Sequence, residues 1–351
     1  MKDTSVESIL VRAPNWIGDQ VLAYPFYRFL RQAYPKAKIT VASVPWMSDL
    51  HFLKEIDEIH ILKKSQSNQF LKKWFHLNQL ALDLRKKGPF DLGVSLPNSF
   101  SAGWLLYRSG AKRRVGYRVD GRSFLLNEGV HWDDRPNRHR SQAYVDLLKL
   151  NDSRAHHVVD FWKNESDPVF DVEGQWNPKD TLEPPDEPFW VLAPGATASS
   201  RRWPLERFVE FAQKVKQDTG WKGIIVGGPS EVELGIQLSE YPGVNLLDWT
   251  SRCSITGLWK VFRESQFFLG NESGLAHVAS LCGARVQIVC GAADPRRTKA
   301  LGPGPVDVKV NPVDCWPCER NVCTQKGIRE IQCLKGIHSN HLWKELREDL
   351  K

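Results

Sequence analysis

No apolar run in these 351 residues approaches the roughly 18 that a membrane-spanning helix requires. A spanning helix is therefore excluded. No leader precedes the first apolar stretch, because Met1 to Ser8 form a polar opening, so a cytoplasmic chain is expected. Cysteine is odd in number, seven in all, and the thiols cannot all pair within one chain. Without an export signal, reduced thiols are the expectation. The composition has no collagen-like, disordered or disulfide-scaffold bias, with 41% hydrophobic and 25% charged residues. The Gly-Lys-Thr ending of a Walker phosphate loop is missing.

What is present suits two domains. Lys and Arg number 48 against 41 Asp and Glu, a net charge of +7. The excess favours an anionic partner without choosing among nucleic acid, anionic lipid and phosphorylated small molecules. Fourteen tryptophans scatter from Trp16 to Trp343 and read mostly as core or interface residues.

Short apolar runs alternate with amphipathic segments, the pattern of βαβ units and parallel sheets. Ser8–Arg12 reads as a strand. After the loop Asn15–Gly18, Asp19 opens a helix with Val21, Leu22, Phe26, Phe29 and Leu30 on one face, and Pro25 sits near its first turn. Further strands are expected at Ile39–Ala42, Ile59–Leu62 and Leu92–Ser95. A helix from Phe70 to Lys87 ends at Gly88-Pro89. Residues 163–188 lose periodicity and read as a linker. The alternation then restarts, with strands at Phe189–Leu192, Gly223–Val226, Phe267–Gly270 and Val286–Cys290. Helices are expected at Leu205–Asp218 and Leu275–Leu281. Ala13-Pro14 and Ala193-Pro194 each follow a first strand, which suits two related α/β domains. His338 to Leu350 reads as a terminal helix with Leu342, Leu346 and Leu350 on one stripe.

Several segments carry chemistry. Asp19 follows Gly18 beyond the carboxyl end of the first strand, where open α/β sheets bind ligands. A carboxylate there serves either as a general base or as a helix N-cap. In Pro194–Pro204, small residues with Thr197 and Ser199 precede Arg201-Arg202, a mixture suited to phosphate. Gly227-Gly228-Pro229-Ser230-Glu231 is a tight turn whose acid accepts ribose hydroxyls or complements a helix dipole. Asn271-Glu272-Ser273-Gly274-Leu275-Ala276-His277 joins a strand to a helix N-terminus, a diphosphate-binding context. Cys315, Cys318, Cys323 and Cys333 allow a four-thiolate zinc site, but their spacing is not the paired pattern. A basic run from Arg108 to Arg122, with Arg135, Arg138 and Arg140, outweighs Asp120, Glu128, Asp133 and Asp134. Such a run steers anions.

With these segments in order, the chain resembles the bacterial lipopolysaccharide heptosyltransferases (glycosyltransferase family 9), and most of all the heptosyltransferase II branch. The resemblance covers about residues 8–340. It rests on Gly18-Asp19 with Pro25, on Pro194-Gly195-Ala196 with Arg201-Arg202-Trp203-Pro204, on Gly227-Gly228-Pro229, on the 271–277 segment and on the cysteine-rich tail. It implies an α/β GT-B fold of two Rossmann-like doubly wound domains with a cleft between them. The acceptor-binding domain is expected over 1–175 and the nucleotide-sugar-binding domain over 187–335. The helix at 336–351 is expected to cross back to the first domain.

The resemblance further implies an inverting glycosyltransferase that moves L-glycero-D-manno-heptose from ADP-heptose to a lipid-linked, anionic lipopolysaccharide inner-core acceptor. Asp19 takes the place of the family's general base. The donor contacts fall on Thr197, Ser199, Arg201, Glu231, Glu272, Ser273, Gly274 and His277. Arg114, Arg118 and Arg140 are expected to meet the acceptor. Arg201 stands where Lys is usual, and Glu272 where Asp is usual. No cofactor is implied beyond the donor, and no metal is expected at the four cysteines. A cytoplasmic protein is implied, with peripheral contact at the inner membrane and no nucleic-acid partner. The competing readings are a different nucleotide-sugar donor or acceptor, a GT-B-fold nucleotide-sugar epimerase, and a nucleic-acid-binding protein.

Overall fold

The computed structural model describes residues 6–51, 53–132, 138–148, 172, 175–176, 178 and 180–350. The chain forms two compact units that change over within residues 161–176. Of the expected linker at 163–188, the stretch up to residue 171 lies outside the described residues, as does Arg135 of the basic run.

The first unit runs β1 (Ser8–Arg12), α1 (Ile17–Leu22), α2 (Tyr24–Ala33), β2 (Lys38–Ser43), β3 (Glu58–Ile61), α3 (Phe70–Lys87), β4 (Leu92–Ser95), α4 (Phe100–Arg108), β5 (Arg113–Tyr117), β6 (Glu128–Val130) and α5 (Arg140–Asp146). Its six strands make one parallel sheet in the order β3-β2-β1-β4-β5-β6. Ile9 stands level with Ile39 on one side and Leu92 on the other. Ile9, Leu10 and Val11 are fully buried, because a central parallel strand has both faces covered.

The second unit runs β7 (Phe189–Ala193), α6 (Leu205–Thr219), β8 (Lys222–Ile225), α7 (Val232–Ser239), β9 (Leu246–Asp248), α8 (Trp259–Glu264), β10 (Phe268–Asn271), α9 (Gly274–Leu281), β11 (Val286–Cys290), α10 (Pro295–Thr298), β12 (Val306–Val310), α11 (Gln332–Lys335) and α12 (Ser339–Asp349). Its sheet is also parallel, in the order β12-β11-β10-β7-β8-β9. Counted from its own first strand, this is the topology of the first unit again. Both sheets are doubly wound, and in each the order reverses between the first and fourth strands. Ligands of such sheets bind beyond the carboxyl ends at that reversal. The two places are the ends of β1 and β4, and the ends of β7 and β10.

One expectation is corrected here. The helix expected to start at Asp19 and run through Leu30 is two helices, broken at Ala23. Pro25 has no N–H to give a preceding turn, but it is tolerated in the first turn of a new helix. The terminal helix packs on its own unit. Leu342, Trp343 and Leu346 of α12 join the second unit's own core. The Trp343 ring meets Phe211 edge-on at 5.7 Å. Its indole N–H donates to Asp218 Oδ2 of α6 at 2.9 Å, and Arg347 holds the same oxygen at 2.8 Å. The apolar stripe is thus used locally, against α6. Among the described residues no helix is long and apolar enough to cross a membrane.

Candidate active site

In the first unit, the loop after β1 is held from beneath. Arg12 is buried and points its Nη2 at Asn15 Oδ1, 2.6 Å away; burial pushes its pKa down to about 10. Gln20 of α1 bonds His51 Nδ1 at 3.1 Å, and His51 Nε2 meets Ser43 Oγ at 2.7 Å. Burial, with help from the Arg12 charge, pushes His51 down to about 4, so its ring is neutral at pH 7. These contacts fix the start of α1.

Asp19 lies in the first turn of α1, whose N-cap position is Trp16. Asp19 is therefore not the N-cap residue itself. Its side chain is 29% exposed, and the Arg140 guanidinium approaches Oδ1 at 3.8 Å. Tyr144 of α5 is buried nearby. Burial, with the Asp19 charge second, raises its phenol pKa well above 10.

The three arginines expected to meet the acceptor separate. Arg140 is brought to Asp19. Arg118 is exposed just beyond β5, on the same carboxyl edge. Arg114 is turned inward: its guanidinium donates to the carbonyls of Leu125 (2.7 Å) and Ala111 (2.8 Å) and lies over the Tyr107 ring. Arg122, counted among the steering charges, is fully buried. It donates to Ser95 Oγ (2.9 Å), Pro97 O (2.5 Å) and Tyr117 O (2.9 Å). It shapes the loop that leaves β4 and leaves its charge with no access to a ligand in solution.

In the second unit, Asn271 ties the two halves of the reversal together. Its Nδ2 donates to Pro194 O at 2.6 Å, and its Oδ1 accepts from the Trp203 amide at 2.9 Å. This side chain is fully buried. A groove of about 670 Å³, lined by Gly195, Thr197, Arg202, Trp203, Glu231 and Glu233 among others, opens beyond β7 between α6 and α7. Its volume is that of a small-molecule site. Glu231 folds back so that Oε2 accepts from the Gly228 amide at 2.6 Å, and its carboxylate passes directly over Gly195.

Arg201 and Glu272 lie beside this groove, outside its lining. The two departures from the family pattern meet each other: Arg201 Nη1 is 2.6 Å from Glu272 Oε2. Glu272 is buried, with its side chain 9% exposed against 31% for Arg201. The longer acid and the wider fork together close a pair that Lys and Asp would span differently. Two polar atoms here are buried without a protein partner, Arg201 Nε and Ser273 Oγ. Ser273 is the N-cap of α9 and its hydroxyl makes no capping bond. Gly274 is the first residue of α9, and His277 is buried one turn on. Ser199 is turned away, its hydroxyl donating to Asn321 O at 3.3 Å.

Asn321 belongs to the cysteine-rich loop. Its carbonyl also accepts from the Ser200 amide at 3.3 Å, and Ser200 Oγ donates to Arg320 O. This loop therefore braces the turn that carries Arg201. Cys315, Cys318, Cys323 and Cys333 line one small cavity beneath it, together with Ser200. Burial, reinforced by the other three thiols, raises the Cys333 pKa. Among the described residues, no three His, Cys, Asp or Glu side chains form a group that could hold a metal ion.

The model of glycosyltransferase family 9 (heptosyltransferase) matches residues 78–329. The chain belongs to this family. The glycosyltransferase is 21% identical over 313 residues to the lipooligosaccharide heptosyltransferase 2 of Haemophilus ducreyi, an alignment covering 86% of this chain and 88% of the relative. It is 23% identical over 304 residues to the lipopolysaccharide heptosyltransferase 2 of Escherichia coli, covering 84% and 85%. Among solved structures, a family 9 glycosyl transferase from Veillonella parvula superposes with a TM-score of 0.74 at 19% identity, covering 100% of this chain and 98% of that one. The ADP-heptose lipopolysaccharide heptosyltransferase II of E. coli gives 0.73 at 21% identity, covering 98% of each chain. The fold of the glycosyltransferase is accordingly GT-B, with two Rossmann-like units.

Proposed function

We propose that the glycosyltransferase transfers L-glycero-D-manno-heptose from ADP-heptose to a lipid-linked lipopolysaccharide inner-core acceptor, with inversion. The observation that carries the donor half is the pair of unpartnered buried donors, Arg201 Nε and Ser273 Oγ, at the carboxyl ends of β7 and β10. Buried polar groups are normally paired, and diphosphate oxygens suit both atoms. The groove beside them takes the nucleoside, with Glu231 accepting the ribose hydroxyls and Thr197 at its mouth. The names of the relatives point to heptose and to lipopolysaccharide.

Asp19 is the general base in this reading. It accepts the acceptor hydroxyl's proton as that oxygen bonds the anomeric carbon and the bond to the ADP oxygen breaks. One in-line displacement inverts the centre, so one base suffices. Arg140 balances the Asp19 charge before the proton arrives. Arg118, exposed beyond β5, meets an acidic group of the acceptor in this reading. Arg201, Ser273 and the N–H groups of the first turn of α9 stabilise the charge left on the diphosphate. No metal is assigned a step. The enzyme works in the cytoplasm and meets its lipid-linked acceptor at the membrane surface.

The Arg201–Glu272 pair supports a second reading, in which the same machinery takes a different nucleotide sugar. The test is ADP release from ADP-heptose by wild type and Asp19→Asn, with and without a truncated core acceptor. Acceptor-dependent release is expected in the wild type. In Asp19→Asn it falls by about 10²–10⁴, while ADP binding measured by calorimetry is unchanged. Turnover confined to another nucleotide sugar would select the second reading.

A further inference from the structure

The first unit carries an aromatic ridge that the proposed chemistry does not use. On α3, Phe70 is 78% exposed, Leu71 66% and Phe75 71%. Single exposed apolar residues are ordinary, but these continue into a stack of rings. Trp74 of α3 lies 4.7 Å from Trp104 of α4, between ring centres. Trp104 meets Phe100 at 6.3 Å, and Phe100 meets Phe124 at 6.2 Å. Phe124 itself is 72% exposed. Ala81 and Leu84, which are buried against the core, lie further along α3; the exposed aromatics sit at the start of the helix, ahead of that buried stretch. At that exposure Phe70, Leu71 and Phe75 add little to the core.

The exposed charges at the tip of the ridge are lysines. Lys72 and Lys73 stand exposed among the ridge residues at the start of α3, whereas Arg85, Lys86 and Lys87 lie in its last turn, with Lys86 paired to Asp83 at 2.9 Å and Lys87 to Glu58 at 2.8 Å. Lys63 and Lys64 precede the helix and are exposed. Asp120, beside the ring stack, accepts from the Phe100 amide at 2.7 Å. Rings and leucine at the tip of a helix, flanked by lysines, match the interface of an anionic bilayer. Apolar side chains enter the headgroup boundary there while cations hold the lipid charge.

We propose that the Phe70–Phe75 end of α3, with Phe124 beside the ring stack, docks the protein on anionic membrane lipid. This deepens the functional reading, because a lipid-linked acceptor would be met at that surface. The docking itself requires neither donor nor acceptor.

The test is co-sedimentation of the full chain with phosphatidylcholine vesicles, with and without phosphatidylglycerol. Binding is expected only with the anionic lipid, and it weakens as salt is raised. Lys72→Glu/Lys73→Glu lowers the partition coefficient by about fivefold or more per lysine. Phe70→Ser/Leu71→Ser/Phe75→Ser abolishes binding, with an unchanged melting temperature and unchanged transfer to a delipidated core oligosaccharide. Wild type that stays in the supernatant with both vesicles overturns the proposal. So does a triple variant that still binds, or one that only converts a dimer to a monomer, which would assign the ridge to a second copy. Vesicle binding without any transfer to core acceptors would leave the docking intact and count against the functional reading alone.

Discussion

Gly195→Ala is the sharpest single perturbation of the groove beyond β7. The backbone there accepts alanine, so the cost is one of space. A Cβ would fall 1.7 Å from Glu231 Oε1 and 2.2 Å from its Cδ, where ordinary contact begins at 3.4 Å. The carboxylate must therefore retreat by about 1.7 Å. Its other oxygen is held by the Gly228 amide at 2.6 Å, and a retreat of that size breaks the bond. A hydrogen bond to a charged group is worth about 1.5–3 kcal/mol. Glu231 is partly exposed, so the lower end applies. About 1.5 kcal/mol lowers the melting temperature of a unit this size by about 3–6 °C. If the same carboxylate holds the donor ribose, the ADP dissociation constant rises about tenfold. Glu231→Ala removes the obstacle, so adding Gly195→Ala to it should change neither quantity further. Calorimetry with ADP and thermal unfolding of the four proteins complete the cycle. An equal cost for Gly195→Ala with and without Glu231 would refute the steric reasoning. Wild-type ADP affinity in Gly195→Ala would remove Glu231 from the ribose site.

Asn271→Ala strands the Pro194 carbonyl and the Trp203 amide, and at about 1–3 kcal/mol for each buried group it should cost about 2–6 kcal/mol in urea unfolding; a loss under 1 kcal/mol would mean the bridge is not formed. Trp343→Ala removes a fully buried ring and should cost about 3–5 kcal/mol, whereas a helix docked elsewhere would leave the second unit's unfolding midpoint unmoved. His51 makes acid instability measurable. Its folded pKa is about 4 against 6.5 for an ordinary histidine, so between those values the unfolded chain binds the extra proton. Its contribution is complete above pH 6.5, is lost as pH falls toward 4, and amounts to about 3 kcal/mol. Wild type and His51→Asn should differ in the slope of stability against pH over that window, and parallel slopes would show that His51 is not held neutral by the fold.

Much of the site was legible because local chemistry marks it. Gly18-Asp19, Gly227–Glu231 and Asn271–His277 each join an apolar strand to a helix start, and strand, turn and helix N-terminus follow from neighbours in the chain. Strands β5 and β6 escaped the same reading. β5 carries Arg113 and Arg114 in its first two positions, and charge there hides the alternation. The pairing of Arg113 with Glu128 of β6 at 2.7 Å is a contact that periodicity does not encode. The basic run misled for a related reason. Arg114, Arg118 and Arg122 are alike as letters, yet carbonyls gather round two of them and leave the third in water.

What the sequence by itself determined is the repeated βαβ alternation and the residue types at the strand ends. Backbone preference and hydrophobic period act over a few residues, so they can be read along the chain. Only the tertiary structure decided which of those residues meet. It brought Arg140 to Asp19 across 121 positions and Arg201 to Glu272 across 71. It also laid Glu231 over Gly195 and turned the last helix onto α6. Each of these depends on where separate elements pack, and packing is settled by shape and burial in three dimensions rather than by order along the chain.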